Sequence, residues 1–308
     1  MIRAARRARR ARTRRTLGRF AHRHCRLGRI ARIALCGLAA CASGALPPAA
    51  SSAPALGAPA AAGADAVGPG SLLDAYAEDG ELQHFRIDSV AADPRDRDGD
   101  VRLYGLSVIN PATNAWQPYC IPDIQGLSAA IPIQGSWTAD GEPEPGADRI
   151  TFACTSGAIG KCVRFGYKPW KTVHGVSLRP YHAACIRMVR ADYCGDGRPH
   201  TVDGTWIDIW DGLGIQTREQ RPGHPEVFEA AWSPTGAAYL NMPRWSDDVA
   251  DVVRDCPSHF AGRTSHDRSL APTDVPHQFP EVLIFNARYL QSSDRRVTPG
   301  ATSPQPAR

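Results

Sequence analysis

The sequence predicts an α+β fold: a β-rich single domain with one or two short helices, stapled by disulfides. Three observations carry that prediction. Short segments that alternate apolar and polar residues, rich in β-branched and aromatic types, recur over 84–109 and 201–240. One stretch, 178–193, instead repeats its apolar residues at helical spacing. Six cysteines fall in the same region without the tight C-x2-C spacing of a structural zinc site. Residues 71–290 hold all of this, enough chain for one sizeable core.

Taken in order, H-F-R-I-D-S-V-A (84–91) and V-R-L-Y-G-L-S-V-I (101–109) read as strands. The loop between them is D-P-R-D-R-D-G-D. Asp96, Asp98 and Asp100 invite a calcium reading, but the EF-hand pattern needs glycine at 101 and glutamate at 107. Val101 and Ser107 stand there, so the loop is expected to be a solvated hairpin turn. Residues 156–165 predict a short helix with Ser156 as N-cap, stopped before Pro169. Over 178–193 Tyr181, Cys185 and Met188 share one helical face, Arg187 and Arg190 point away, Ser177 caps, and Pro180 sits in the first turn. T-V-D-G-T-W-I-D-I-W-D (201–211) predicts a hairpin at Asp203-Gly204. There Ile207 and Ile209 share a face, and Trp206, Asp208 and Trp210 share the other, which is therefore half-exposed or satisfied by polar partners. A second hairpin is expected in 228–240, turning at Ser233–Gly236.

The charge is segregated. The formal net charge is +5, yet thirteen arginines lie in residues 1–32 and the first acid is Asp65. The rest carries 23 Lys and Arg against 31 Asp and Glu, an excess of eight negative charges. Once the arginine-rich leader is cut off, that excludes a basic nucleic-acid footprint and a polybasic membrane patch. Residues 1–41 read as a signal peptide, arginine-rich and then apolar from Ile33 to Ala40, a run far short of a bilayer span. The run ends in Leu38-Ala-Ala-Cys41, which resembles the lipobox of bacterial lipoproteins, where the thiol is acylated and becomes the new N-terminus. Cys41 is thus the expected lipid anchor and the membrane a partner through it. An ordinary secretory signal cut near Ala45 is the alternative. The Arg-Arg pair in Thr13–Leu17 fits a twin-arginine route, a weak signal in so arginine-rich a segment. Residues 42–70 are Ala, Pro, Gly and Ser and are expected to be a disordered tether; 291–308 read as a disordered tail.

C-T-S-G-A-I-G-K-C-V-R-F-G-Y-K-P-W (154–170), H-A-A-C-I-R-M-V-R-A-D-Y-C-G-D-G (182–197) and T-V-D-G-T (201–205) together resemble the bacterial ADYC-domain family. Its name is the tetrapeptide found here as Ala191-Asp192-Tyr193-Cys194. The likeness is strong over 151–216. It implies an extracytoplasmic protein, often a lipoprotein, and it implies no activity, so no functional residue is carried over.

Beyond Cys25, Cys36 and Cys41 of the leader, the cysteines are Cys120, Cys154, Cys162, Cys185, Cys194 and Cys256. An even number in an exported chain reads as three disulfides, among fifteen possible pairings. If 178–193 is helical throughout, Cys185 and Cys194 stand about 13 Å apart along the axis, too far to be bridged. Their partners are therefore expected to differ. Two other uses of these thiols are zinc, with His182 and Cys185 as an H-x2-C pair, and a nucleophilic Cys194 with His200 or His174 as base. The spacing disfavours the first. Asp192 and Asp196 disfavour the second, since like charge raises a thiol pKa.

No G-x-S-x-G, H-E-x-x-H or Walker loop occurs, and no cofactor is expected. The densest polar cluster is Asp192, Asp196, Arg198, His200, Thr201 and Asp203. As a site it offers Asp192, Asp196 and His200 for general acid/base hydrolysis. As structure, its carboxylates cap the loop backbone and pair with Arg187 or Arg190. Most of the seven tryptophans are expected in the core, with Trp206 and Trp210 as exceptions. Arg164, Lys168 and Lys171 flank Tyr167 and Trp170, a cation–π pattern. The expected role is a non-catalytic binding or structural lipoprotein of the cell envelope, facing an envelope partner or glycan. The competing role is an envelope hydrolase.

Overall fold

The computed structural model describes residues 68–76, 82–138, 141, 143–144, 150–201, 204–246 and 248–290. The signal peptide with Cys41, almost all of the tether, and the tail lie outside the described residues, as does Asp203.

The chain opens with β1 (Leu72–Tyr76), β2 (Leu82–Ala92), β3 (Arg102–Asn110), β4 (Ala115–Pro118) and β5 (Ala130–Gln134). A two-residue pair follows, β6 (Ser136–Trp137) with β7 (Pro143–Glu144), and then β8 (Ile150–Cys154). The main sheet runs β1-β2-β3-β5-β8, with β4 also paired to β3, all antiparallel. The two strands expected from alternation correspond to β2 and β3, within a residue for the second, and pair with each other, Ile87 opposite Leu106. Because successive side chains alternate faces, Leu103 joins the central core while Tyr104 and Leu106 join a second cluster with Cys120.

Next come α1 (Ala158–Arg164), the short ladder β9 (Thr172–Val173) with β10 (Val176–Ser177), and α2 (Arg179–Arg190). Both helices form where expected, but neither expected serine is the N-cap. Gly157 and Leu178 hold those positions, and the Ser177 hydroxyl only accepts the Arg179 N–H at 3.3 Å. α2 ends on Ala191 in a left-handed conformation, φ 51°, whose N–H turns back to the Arg187 and Met188 carbonyls.

The second sheet uses β11 (Ile207–Asp211), β12 (Glu226–Ser233) and β13 (Gly236–Leu240). The chain then passes through α3 (Val249–Asp255) and α4 (Val275–Gln278) and returns as β14 (Ile284–Tyr289), giving the order β11-β14-β12-β13. The hairpin at Ser233–Gly236 forms as expected, Ser233 opposite Gly236. The turn of the hairpin expected at Asp203-Gly204 lies partly outside the described residues; β11, which follows it, pairs with β14, and ahead of it the His200 N–H bonds to the Arg190 carbonyl at 3.0 Å.

α2 packs between the sheets. One core cluster joins Leu103, Ile131 and Ile133 of the first sheet, Ala184, Ile186 and Met188 of α2, and Trp232, Leu240 and Ile284 of the second. A helix covered on two sides needs more than one apolar stripe. His182 and Arg187 are accordingly buried with Tyr181, Cys185 and Met188, so Arg187 does not point to solvent. The domain is α+β, β-rich, and carries three disulfides.

Candidate functional site

Cys120 bonds to Cys154, closing the first sheet; Cys162 to Cys185, joining α1 to α2; and Cys194 to Cys256, joining the loop after α2 to the end of α3. Cys185 and Cys194 thus go to different partners. A sulfur held in a disulfide is neither a zinc ligand nor a nucleophile, which removes both readings for Cys185 and Cys194. The His182 imidazole instead places Nε2 3.2 Å from the Ile159 carbonyl and packs edge-on against Trp137. Burial pulls its pKa down to about 4. Three disulfides point to folding in an oxidising environment. Among the described residues no helix is long and apolar enough to cross a membrane.

Each residue of the Ala191–Cys194 tetrapeptide has a structural task. Ala191 makes the left-handed stop of α2. Asp192 is fully buried; its carboxylate accepts the backbone N–H groups of Asp196 (3.1 Å) and Gly197 (3.0 Å) and a short bond from the Arg187 guanidinium. Tyr193 is also fully buried and donates its hydroxyl to Glu229 at 2.9 Å, while its backbone carbonyl accepts the Ala237 N–H. Cys194 supplies the link to α3. The loop lies so close to the β12–β13 turn that a Cβ on Gly195, at φ 70°, would fall 1.9 Å from the Thr235 carbonyl oxygen. A Cβ on Gly236 would fall 2.7 Å from the Tyr193 carbonyl oxygen. Glycine is required on both sides of that contact.

Around Tyr193 lies a buried polar network that the sequence did not disclose. Arg244 donates Nε to both Glu229 oxygens (2.8 and 3.0 Å) and Nη2 to the Met188 carbonyl (3.0 Å), and its backbone N–H meets the Tyr193 hydroxyl (2.9 Å). Asn286 donates to Glu229 at 2.7 Å and accepts from the Trp232 indole at 2.7 Å. Burial would pull the Arg244 pKa down, but the Glu229 charge more than offsets it and the net direction is up. Burial, reinforced by Glu229, pushes the Tyr193 hydroxyl well above its ordinary value. Both groups therefore hold their protons through the whole physiological range.

The acid/base candidates are not assembled with one another. Asp192 is spent on the loop and Arg187. Asp196 accepts the Arg198 backbone N–H at 3.0 Å at the surface. His200 keeps Nδ1 3.2 Å from the Ala191 carbonyl, stacks on Trp245, and turns Nε2 toward Asp255 at 3.6 Å. Arg198 bonds Asp255 at 2.8 Å, and Thr201 accepts from Arg244 at 3.4 Å.

The basic cluster after α1 departs from expectation. Arg164 bonds Asp93 (2.8 Å) and Asp123 (3.0 Å); the Lys168 ammonium reaches Asp96 (2.5 Å), Asp98 (2.8 Å) and Asp100 (2.5 Å); Lys171 reaches Asp98 (2.6 Å). Carboxylates, not rings, are their partners, and Trp170 donates its indole N–H to Asp100 at 2.9 Å. The β2–β3 loop is the exposed hairpin turn expected over most of its length, but its carboxylates tie it to this cluster and Asp93 is 3% exposed. The oxygens of Asp96, Asp98 and Asp100 lie within 4.8 Å of one another, close enough for a cation, and the Lys168 ammonium is bonded to all three. Burial raises the Asp100 pKa, but Lys168 and Trp170 outweigh it and the net direction is down. A cleft of about 440 Å³ opens beside this clasp, between Arg95 and Arg97 on one side and Phe165, Ile215 and Glu219 on the other.

Trp232 and Trp137 are core residues, and Trp206 is exposed as expected. Trp210 is half-buried, stacked on Phe285 under the Arg218 guanidinium. Trp245, 46% exposed, is an exception the sequence did not single out.

The fold and its polar interior define a class: a two-sheet α+β domain, clamped by disulfides around a helix that ends in a buried Asp–Tyr loop. The family model of the ADYC domain matches residues 68–246, so the likeness extends well beyond 151–216. The chain belongs to the ADYC domain family. No curated protein and no solved structure matches it.

Proposed function

We propose that the protein is an exported, lipid-anchored component of the bacterial cell envelope that works by binding or scaffolding rather than by catalysis. The observation that carries this reading is the use of Asp192: its carboxylate is fully buried, paired with Arg187 and bonded to two backbone N–H groups, so it is committed to the loop and closed off from a substrate. His200 and Asp196, which would complete a hydrolase, serve other bonds. The disulfides support export, and the lipobox-like Leu38–Cys41 supports anchoring.

Mass spectrometry of the membrane fraction tests it. The expected product begins at an acylated Cys41 and carries the three cross-links. A Cys41→Ser chain is expected in the soluble fraction. Recovery of an unmodified Cys41 in the mature chain would overturn the anchor. A hydrolytic activity abolished by His200→Gln, with the fold intact, would overturn the non-catalytic role.

A further inference from the structure

Segment 212–225 folds back over the face of the second sheet that carries Trp206, Asp208 and Trp210, and ends in the turn Arg221-Pro-Gly-His224. The His224 N–H bonds to the Arg221 carbonyl at 3.1 Å, and Gly223 has φ 80°. Pro222 and Gly223 thus sit at the central positions of a type II turn, whose first dihedral proline presets and whose second favours glycine. Arg221 and His224, its two ends, are both exposed.

The Arg221 guanidinium lies 4.3 Å from the Trp206 ring centre and 6.0 Å from that of Tyr289. His224 meets the Tyr289 ring edge-on at 6.3 Å. Tyr289 is fixed by donating its hydroxyl to the Glu219 carbonyl at 3.1 Å. The nearby carboxylates do not neutralise Arg221: Glu226 bonds Arg218, and the Asp208 carboxylate lies 3.6 Å from Arg218 and accepts the Glu219 N–H. The Arg221 guanidinium forms no hydrogen bond or ion pair among the described residues. A guanidinium packed over a ring, with its N–H donors free, is prepared for a carboxylate, because the ring contact already restricts the side chain. Trp206 remains 55% exposed beside it, an unusual exposure for an indole.

We propose that this turn is a binding site for a carboxylate-bearing saccharide. Arg221 takes the carboxylate, with His224 as a second donor, and the open part of the Trp206 ring takes the apolar face of a sugar. The acids that act electrostatically on Tyr289 beside it, Asp208, Glu226 and Glu219, repel dense anionic charge, which favours a monoanionic sugar over phosphate. The proposal rests on the binding role above and gives that role a ligand class.

Isothermal titration of the full chain in detergent micelles tests it, with a galacturonate trimer against the neutral galactose trimer, inorganic phosphate and an acidic tripeptide. Saturable binding of the uronate is expected, at least about tenfold tighter than each of the others. Arg221→Gln and Trp206→Ala are each expected to weaken it about tenfold or more, the scale of a lost charge-assisted contact. Arg221→Lys, which keeps the charge without the planar fork, falls between and serves if the glutamine variant melts early. Arg97→Gln, at the separate cleft, is expected to bind like the parent. No saturable uronate binding, equal binding of the neutral trimer, tighter binding of phosphate or peptide, or full affinity in both Arg221 variants each overturns the proposal. Acylation of Cys41 and hydrolysis are read in other experiments, so this failure would leave the envelope role standing.

Discussion

Tyr193 shows how a single hydroxyl organises the interior. It donates to Glu229 and accepts from the Arg244 backbone, so it stands between the two members of a buried ion pair. Tyr193→Phe is expected to cost about 1–3 kcal/mol in urea unfolding, the range for leaving a buried polar group unpartnered. Arg244→Met strands the Glu229 charge and should cost about 3–5 kcal/mol. His182 sets a pH dependence. Its pKa falls from near 6.5 in the unfolded chain to about 4 when folded. The unfolded chain therefore takes up a proton that the native protein refuses, and stability declines as pH falls from about 6.5 toward 4. The decline is about 3 kcal/mol. In urea titrations at pH 7.5 and 4.5, His182→Gln is expected to lose most of that difference. The capping use of Asp192 was legible because loop carboxylates seek nearby N–H groups within a few residues. The Glu229–Arg244–Asn286 network was not, since its members lie on separate strands and loops with no local pattern to connect them.

At the scale of elements, local signals served and remote ones did not. β2, β3, the β12–β13 hairpin and α2 were readable because periodicity and turn chemistry act within a dozen residues. β11 looked like half of a hairpin, yet its partner β14 lies more than seventy residues on. α3 starts on a local signal: the Asp248 side chain accepts the Ala250 N–H at 2.8 Å at the head of a turn that buries Val249 and Val252. The clasp between the β2–β3 loop and the chain after α1 has a testable charge dependence. The pKa values of Asp98 and Asp100 are lowered in the folded protein. Their contribution is thus complete above the unfolded value, near 3.9, and is lost as pH falls below it. Lys168→Met should cost about 1–3 kcal/mol at pH 7. The gap from the parent should narrow progressively as pH falls below about 4, in acid titrations followed by far-ultraviolet circular dichroism.

For the whole molecule, the covalent framework determines how it comes apart. Each disulfide contributes about 3–4 kcal/mol by limiting the unfolded chain, and the three differ in access. Cys162 and Cys185 are both fully buried, whereas Cys194 and Cys256 are half-buried at the edge of the Tyr193 loop. Graded reduction with differential alkylation is expected to open Cys194–Cys256 first and Cys162–Cys185 last. The fold class and the presence of disulfides followed from composition and cysteine parity. The pairing did not, because fifteen arrangements share one sequence and only the packing of sheets and helices selects among them.

The selected arrangement has one further property. Numbered along the chain, the first of the six thiols joins the second, the third the fourth, and the fifth the sixth. A polypeptide that emerges amino end first would therefore meet each native mate as the very next thiol to arrive. Simple oxidation in order of arrival yields the finished molecule, with no wrong linkage to undo. Production in a secretion host stripped of isomerase activity should accordingly give the same cross-linked product as the unmodified host.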